Sequence, residues 1–304
     1  MTVVKMHADE VSTDASLVRR LLATQFPQWA DLPISPVRSS GTDNALYRLG
    51  EDKVVRLPRI HWALGQIDKE RQWLPRLAPH LPLAIPIQLV KGEPGEGYPW
   101  HWSVYRWLDG ENATIDQIAD PNQAAIALAQ FLTALQQIDS TDGPLPGTDD
   151  LARGKPLTAR DSPTRKAIAA LHGMFDTGTV TAAWETALQA PEWNRPPVWI
   201  HGDLLTGNLL FQQGRLSAVI DFGALGLGDP ACDLMIAWSL FSGASRDTFR
   251  KALAIDDATW ARGRGWALSV ALIFIPYYLN TNPVGVGYAR RAIEAVIADY
   301  EVNG

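Results

Sequence analysis

The stretch Trp199-Ile-His-Gly-Asp-Leu-Leu-Thr-Gly-Asn-Leu-Leu-Phe211 decides how this chain is read. Its two ends are apolar enough to be buried, yet His201, Gly202, Asp203 and Asn208 lie between them. An imidazole, a carboxylate and an amide are costly to bury unless each has a partner or a task. Beyond the stretch comes a second apolar run, Ala218-Val-Ile-Asp-Phe-Gly223, which ends on Asp221. If Leu209 to Phe211 pairs with Ala218 to Ile220 across the turn Gln213-Gly214, Asn208 and Asp221 meet at the open end of a hairpin. Asp203 then sits in the loop leading into it, and three oxygen-bearing side chains converge.

Such a set suits Mg²⁺, a hard cation that takes oxygen ligands and keeps waters and substrate phosphates in its shell. Asn208 and Asp221 are the expected metal ligands. Asp203 is left to accept a proton from a substrate hydroxyl, the division of labour that phosphoryl transfer requires. His201 is expected to hold the loop through buried hydrogen bonds rather than to act as a base.

An aspartate followed five residues later by asparagine, and then by Asp-Phe-Gly, is the pattern of kinases. With Gly202 where protein kinases carry arginine, the sequence resembles the aminoglycoside phosphotransferase family over roughly residues 36 to 280. The resemblance implies a two-lobed protein-kinase-like α+β fold, with a small β-rich N-terminal lobe and a larger, mainly helical C-terminal lobe. It also implies no phosphorylation switch at the catalytic loop, since the arginine that would pair with a phosphorylated segment is absent.

The rest of the chain reads in the same sense. Leu17, Leu21 and Leu22 are spaced as one face of a helix behind Ser12 to Asp14, which can cap it. Short strands follow at Val37, Ala45 to Leu49 and Lys53 to Leu57, then a helix from Ala63 to Leu77 and a strand within Tyr98 to Leu108. Beyond residue 108 helical spacing dominates, starting at Asp120-Pro121 and recurring near Ala167 to Met174, Ala182 to Leu188, Cys232 to Phe241, Trp260 to Leu279 and Ala289 to Tyr300. The expected division is a nucleotide-binding lobe over 1–108 and a catalytic and acceptor-binding lobe over 109–304.

On the nucleotide side, Glu70 falls on the apolar face of its helix, where a lone charge is costly. Arg56 is the partner expected for it, standing where kinases put the strand lysine that touches the α- and β-phosphates. Arginine there is a departure, since it binds phosphate as a planar fork rather than as a point charge. Ser40 and Thr42, in the turn Ser39 to Asn44, are expected to cover the triphosphate. By the resemblance, the backbone of Arg106 and Leu108 meets the nucleotide base, and the donor is ATP or GTP with Mg²⁺.

Other classes fall away. The formal net charge of -6 and the lack of any Lys/Arg run argue against a nucleic-acid partner. The longest near-apolar run, Ala267 to Leu279, is too short to span a membrane and reads as a buried helix. The N-terminus lacks the apolar region of a signal peptide, and the single cysteine, Cys232, fits a reducing cytoplasm. Gly226-Leu-Gly-Asp-Pro-Ala231 loosely matches a dinucleotide-binding turn but has no βαβ context. Asp229 or Asp233 is expected instead to cap the following helix and brace the catalytic loop. Two function classes remain: a kinase of a small-molecule hydroxyl, an aminoglycoside among the candidates, and a nucleotide-binding pseudokinase. The acceptor pocket is expected from Asp149 to Asn194 and from Trp260 onward, with Asp149, Asp150, Asp256 and Asp257 as acidic candidates to attract amines. Oligomeric state is not readable.

Overall fold

The computed structural model describes residues 7, 9–37, 41–112, 118–145 and 153–303. Asp14 caps the first helix, α1 (Ala15–Gln25), by accepting from the Leu17 N–H at 2.7 Å, because a first-turn N–H has no partner within its own helix. Next come β1 (Ile34–Pro36), β2 (Asn44–Leu49), β3 (Lys53–Pro58), α2 (Gln66–Leu77), β4 (Gln88–Gly92) and β5 (Trp102–Arg106). The five strands form one antiparallel sheet in the order β1-β2-β3-β5-β4. Leu17, Leu21 and Leu22 of α1 join Leu49, Val55, Leu57 and Trp102 of the sheet in the smaller of two apolar cores.

The larger core begins with α2. Trp73, Leu74 and Leu77 belong to it, and the Trp73 ring packs on Trp199 with centroids 5.0 Å apart. This contact explains the apolar flank of the opening stretch: Trp199 ties the catalytic segment to α2, whose Glu70, on the same buried face, pairs with Arg56 of β3.

Beyond the connector, β6 (Glu111–Asn112) is followed by α3 (Pro121–Gln137), capped by Asp120 with proline at its first position. Then come α4 (Asp161–Ala170), α5 (Thr177–Gln189), β7 (Val198–Ile200), β8 (Leu209–Gln212), β9 (Arg215–Val219), β10 (Gly226–Gly228), α6 (Ile236–Ser239), α7 (Gly243–Leu253), α8 (Asp257–Tyr278) and α9 (Pro283–Asn303). The strands make two small sheets, β6-β8-β9 and β10-β7. The expected hairpin is present: Leu209 lies opposite Val219 and Leu210 opposite Ala218. Its turn holds Gln213 at φ 51° and Gly214 at φ 75°, the double positive φ whose twist matches that of paired strands.

Helix α8 is buried on nearly all sides, from Trp260 to Ile275, and it absorbs the apolar run seen in the sequence. Among the described residues no helix is long and apolar enough to cross a membrane. Several boundaries differ from the sequence reading: the strand expected at Val37 is Ile34–Pro36, and the helix expected from Ala63 starts at Gln66. The strand expected within Tyr98 to Leu108 starts only at Trp102. The helix expected at Ala167 to Met174 runs instead from Asp161 to Ala170, and the chain then turns at Gly173, φ 84°. The helix expected from Cys232 to Phe241 is a tight 3₁₀ segment, Pro230–Met235, followed by the short α6. Gly226–Gly228 pairs antiparallel with β7, so the dinucleotide-turn reading has no parallel βαβ unit to stand on.

Candidate active site

The catalytic loop hangs from one buried carboxylate. Asp233, fully buried, accepts the backbone N–H of His201 at 2.7 Å and that of Gly202 at 2.8 Å. Asp229 takes the other role foreseen for this pair. It caps the 3₁₀ segment through the Ala231 N–H and forms a buried ion pair with Arg262 of α8 at 2.7 Å. His201 is structural, as expected: Nδ1 accepts from the Asp203 N–H at 3.2 Å and Nε2 faces the Ile220 carbonyl at 3.0 Å. That pattern requires the neutral tautomer with the proton on Nε2, and burial lowers the pKa of the ring, which favours the same form.

Gly202 has φ 82°, and a Cβ built on it would stand 2.4 Å from the Ala224 carbonyl oxygen. No side chain fits, so the arginine that protein kinases carry here is excluded sterically. Gly202→Ala is expected to cost about 2–4 kcal/mol from left-handed backbone and overpacking together, read as a lowered denaturant midpoint with unchanged slope.

Asp203, Asn208 and Asp221 do come together. The Asn208 carbonyl accepts the Ile220 N–H at 2.9 Å, which sets Asp221 beside Asn208 at the hairpin's open end. Asn208 Nδ2 donates to the Asp203 carbonyl at 2.8 Å and lies 3.3 Å from Asp203 Oδ2, leaving the Asn208 side-chain oxygen available. Asp221 adopts a left-handed conformation, φ 64°, and its side chain is 41% exposed. Among the described residues there is no cluster of three or more His, Cys, Asp or Glu suited to a metal. One amide oxygen and one carboxylate fit Mg²⁺, which ordinarily completes its octahedron with water and phosphate oxygens rather than with protein groups. The Asp203 pKa is pushed up by burial, with Asp221 and Asp43 adding to the rise and Arg153 opposing it. Its side chain is nevertheless 30% exposed, open to an incoming molecule.

Arg56 and Glu70 pair as expected, at 2.8 and 2.9 Å from the two carboxylate oxygens. The guanidinium goes further: its Nη2 donates to Gln66 of α2 at 2.8 Å and to Asp221 at 3.0 Å. Burial works against the charge, but Glu70 and Asp221 outweigh it and raise the Arg56 pKa above its ordinary value. The Tyr105 phenol donates to Glu70, and Lys69 Nζ donates to the Gly223 carbonyl at 2.9 Å, so α2 is fastened to the Asp-Phe-Gly turn.

The remaining nucleotide residues are placed less simply. Ser40 lies outside the described residues. Thr42 was expected to offer its hydroxyl to phosphate. Instead that hydroxyl donates to Asp43 at 2.9 Å and accepts from the Tyr278 phenol of α8 at 3.1 Å, while the Thr42 carbonyl faces His7 Nε2 at 3.2 Å. The reason lies far along the chain: the phenol of Tyr278 on α8 reaches the loop and supplies the partner. The Arg106 N–H donates to the Ile87 carbonyl at 2.9 Å, so of its backbone groups the carbonyl is the one left for a base. Leu108 lies in the half-buried connector, beside Trp107, over whose ring the Arg48 guanidinium stacks at 3.9 Å.

Of the acidic candidates for the acceptor side, Asp149 and Asp150 lie outside the described residues. Asp256 caps α8 and Asp257 pairs with Arg250, so both have structural tasks. Cys232 is buried and its thiol is pushed up to about 12 by that burial, which rules it out as a nucleophile at neutral pH. Sequence reasoning missed Gln66, Tyr105 and Arg153. Tyr105 adjoins Arg106, which was singled out, and its hydroxyl in a buried strand was the available signal, whereas Gln66 lies in the polar stretch Gly65 to Gln72 and offered none. Arg153 gave none.

Comparison with known proteins agrees with this geometry. Residues 35–266 match the phosphotransferase enzyme family. Among solved structures, a complex of an aminoglycoside phosphotransferase with GDP and kanamycin superposes with a TM-score of 0.73 at 19% identity, covering 94% of this chain and 99% of that one. A streptomycin–ATP ternary complex of another aminoglycoside phosphotransferase gives 0.59 at 18% identity, covering 86% and 91%. The macrolide 2'-phosphotransferase of Brachybacterium faecium gives 0.60 at 20% identity, covering 93% and 97%. No curated protein sequence matches significantly. With a two-lobed kinase-like fold, a braced catalytic loop and a family match over most of its length, the chain belongs to the phosphotransferase enzyme family.

Proposed function

We propose that the protein transfers the γ-phosphoryl group of ATP or GTP, with Mg²⁺, to a hydroxyl of a small molecule, and that the acceptor class to try first is the aminoglycosides. The observation that carries this reading is the meeting of Asp203, Asn208 and Asp221 at the end of one hairpin, with Arg56 joining Asp221 to Glu70. Residues 1–108 would hold the nucleotide and 109–304 the chemistry and the acceptor. Asp203 orients the acceptor hydroxyl and takes its proton. Asn208 and Asp221 would hold Mg²⁺, which when bound supplies charge neutralisation at the phosphates. Arg56, fixed by Glu70 and Gln66, steadies the α- and β-phosphates. Ser40, Thr42 and the backbone of Arg106 and Leu108 are assigned to the nucleotide on the same reading. For Thr42 this means its backbone rather than its hydroxyl, because the hydroxyl is engaged with Asp43 and Tyr278.

Aminoglycoside and macrolide phosphotransferases are among the structures this chain superposes on, which supports a small-molecule acceptor. Arg56 in the place of lysine is what keeps the pseudokinase reading in view. The test is a thermal-shift titration with ATP and GTP, each with and without Mg²⁺, followed by coupled release of nucleoside diphosphate against aminoglycosides, macrolides and small metabolite alcohols. Mg²⁺-dependent stabilisation with turnover of one acceptor is the expected result. Stabilisation without turnover of any acceptor, and without slow hydrolysis, favours the pseudokinase; no stabilisation by either nucleotide overturns both readings.

A further inference from the structure

Asp203 is held by a residue the catalytic motif does not contain. Arg153, fifty residues earlier in the chain, donates from Nη2 to Asp203 Oδ1 at 2.8 Å. Its side chain is 8% exposed. The catalytic loop offers the carboxylate no cation of its own, since Leu204 and Leu205 follow it.

The position of Arg153 is built into the backbone around it. Gly154 has φ 73°, and a Cβ there would stand 2.7 Å from Ile200 Cδ1 and 3.1 Å from the Gly228 Cα. A Cβ on Gly228 would in turn meet the Gly154 Cα at 2.5 Å. The Gly154 carbonyl accepts the Asp229 N–H at 2.9 Å. Two glycines thus let the Arg153 segment lie directly against β7 and β10, and β7 leads straight into His201. The rest of the guanidinium is poorly supplied. Among the described residues Nη1 has only the Met235 sulfur at 4.0 Å, and Nε is buried without a hydrogen-bond partner. The Trp266 ring centroid lies 5.9 Å from the guanidinium carbon, but among the described residues the one carboxylate that the guanidinium binds is Asp203, and a buried cation with one anionic partner is a costly feature.

We propose that Arg153 is a positioning residue for phosphoryl transfer: by holding Oδ1 of Asp203 it fixes the carboxylate so that Oδ2 meets the acceptor hydroxyl. The other contact to Oδ2, from Asn208 at 3.3 Å, is long for a hydrogen bond, so Oδ2 is the oxygen open to a new partner. In the step itself, the acceptor oxygen bonds to the γ-phosphorus as the bond from that phosphorus to the β–γ bridging oxygen breaks. Nucleoside diphosphate leaves, and the hydroxyl proton passes to Oδ2. The inference rests on the proposed function, so its test includes a readout that does not need turnover.

The experiment compares Arg153→Met and Arg153→Lys with the wild type by crystal structure, by Mg²⁺–nucleotide affinity and by turnover, using slow hydrolysis with water as acceptor where no other acceptor is found. Arg153→Met is expected to bind nucleotide as tightly as wild type, with kcat lowered about 100-fold, the size of effect that misplacement by about 1 Å produces. Its Asp203 carboxylate should leave the position seen here. Arg153→Lys, which keeps the charge but not the planar fork, should recover about tenfold of the loss. A purely structural role would lower melting temperature and nucleotide affinity instead, with no recovery by lysine. If Arg153→Met does not fold, Arg153→Lys decides, and an unchanged kcat overturns the proposal. So does an Asp203 carboxylate that stays in place in Arg153→Met. Should the wild type neither transfer nor hydrolyse, the proposed function falls, and the carboxylate position still decides whether Arg153 holds Asp203.

Discussion

Asp203→Asn is expected to bind Mg²⁺–nucleotide with wild-type affinity and to lose turnover by about 10²–10⁴-fold, the usual contribution of a positioned general base. Asparagine is the informative substitution. It keeps an oxygen for the Arg153 guanidinium, which is 2.8 Å from Oδ1, so the buried cation does not lose its partner. What it removes is the group that accepts the acceptor's proton. Isothermal titration with nucleotide, set beside single-turnover kinetics, separates the two effects. Equal losses in affinity and rate would mean that Asp203 supports the site as a whole, and the assignment of proton acceptor would fail.

The second large effect is expected at Asp221. Asp221→Asn should abolish the Mg²⁺-dependent part of nucleotide stabilisation, which for wild type at a nucleotide concentration of about 100 times Kd amounts to about 2.7 kcal/mol. Asparagine again limits side effects, because it tolerates the left-handed backbone that Asp221 adopts at φ 64°. Arg56 keeps Glu70 and Gln66 at 2.8 Å, so the sheet and α2 should remain joined and the melting temperature without ligand should change little. A Mg²⁺-dependent shift that survives in Asp221→Asn would remove this residue from the metal site and would send the search back to the neighbourhood of Asn208.

How much of this was legible in the sequence depended on distance along the chain. The hairpin, its turn at Gln213-Gly214 and the convergence of Asn208 with Asp221 follow from short-range pairing and are present, with Leu210 opposite Ala218 and a bulge between Leu210 and Phe211 that was not foreseen. The partnership of Arg56 with Glu70 was legible too, because a carboxylate on an apolar helix face demands a cation and the preceding strand carries one. Arg153 was not legible. Nothing in Leu151 to Lys155 has a period or a motif, and its meeting with Asp203 depends on two glycines, 154 and 228, brought together by the fold. The partners of the Thr42 hydroxyl were not legible for the same reason: no local rule says that a phenol from α8 will reach a loop 236 residues earlier. A strand within Tyr98 to Leu108 was readable, but its end at Arg106 and the donation of the Arg106 N–H to Ile87 were a matter of which strand, β4, lies alongside.

The contact between Tyr105 and Glu70 sets a limit on engineering. Tyr105 stands one residue before Arg106, which the proposed function assigns to the nucleotide base, yet its phenol binds the carboxylate that holds Arg56, and Arg56 in turn binds Asp221. On the proposed function, three contacts therefore link the base end of the site to its metal end. Shrinking Tyr105 to admit a bulkier or altered base would strip a donor from a fully buried carboxylate, and the loss would be felt where the phosphates sit. On that proposal, donor preference is better redesigned from Trp107 and the connector, which lie outside that chain of contacts.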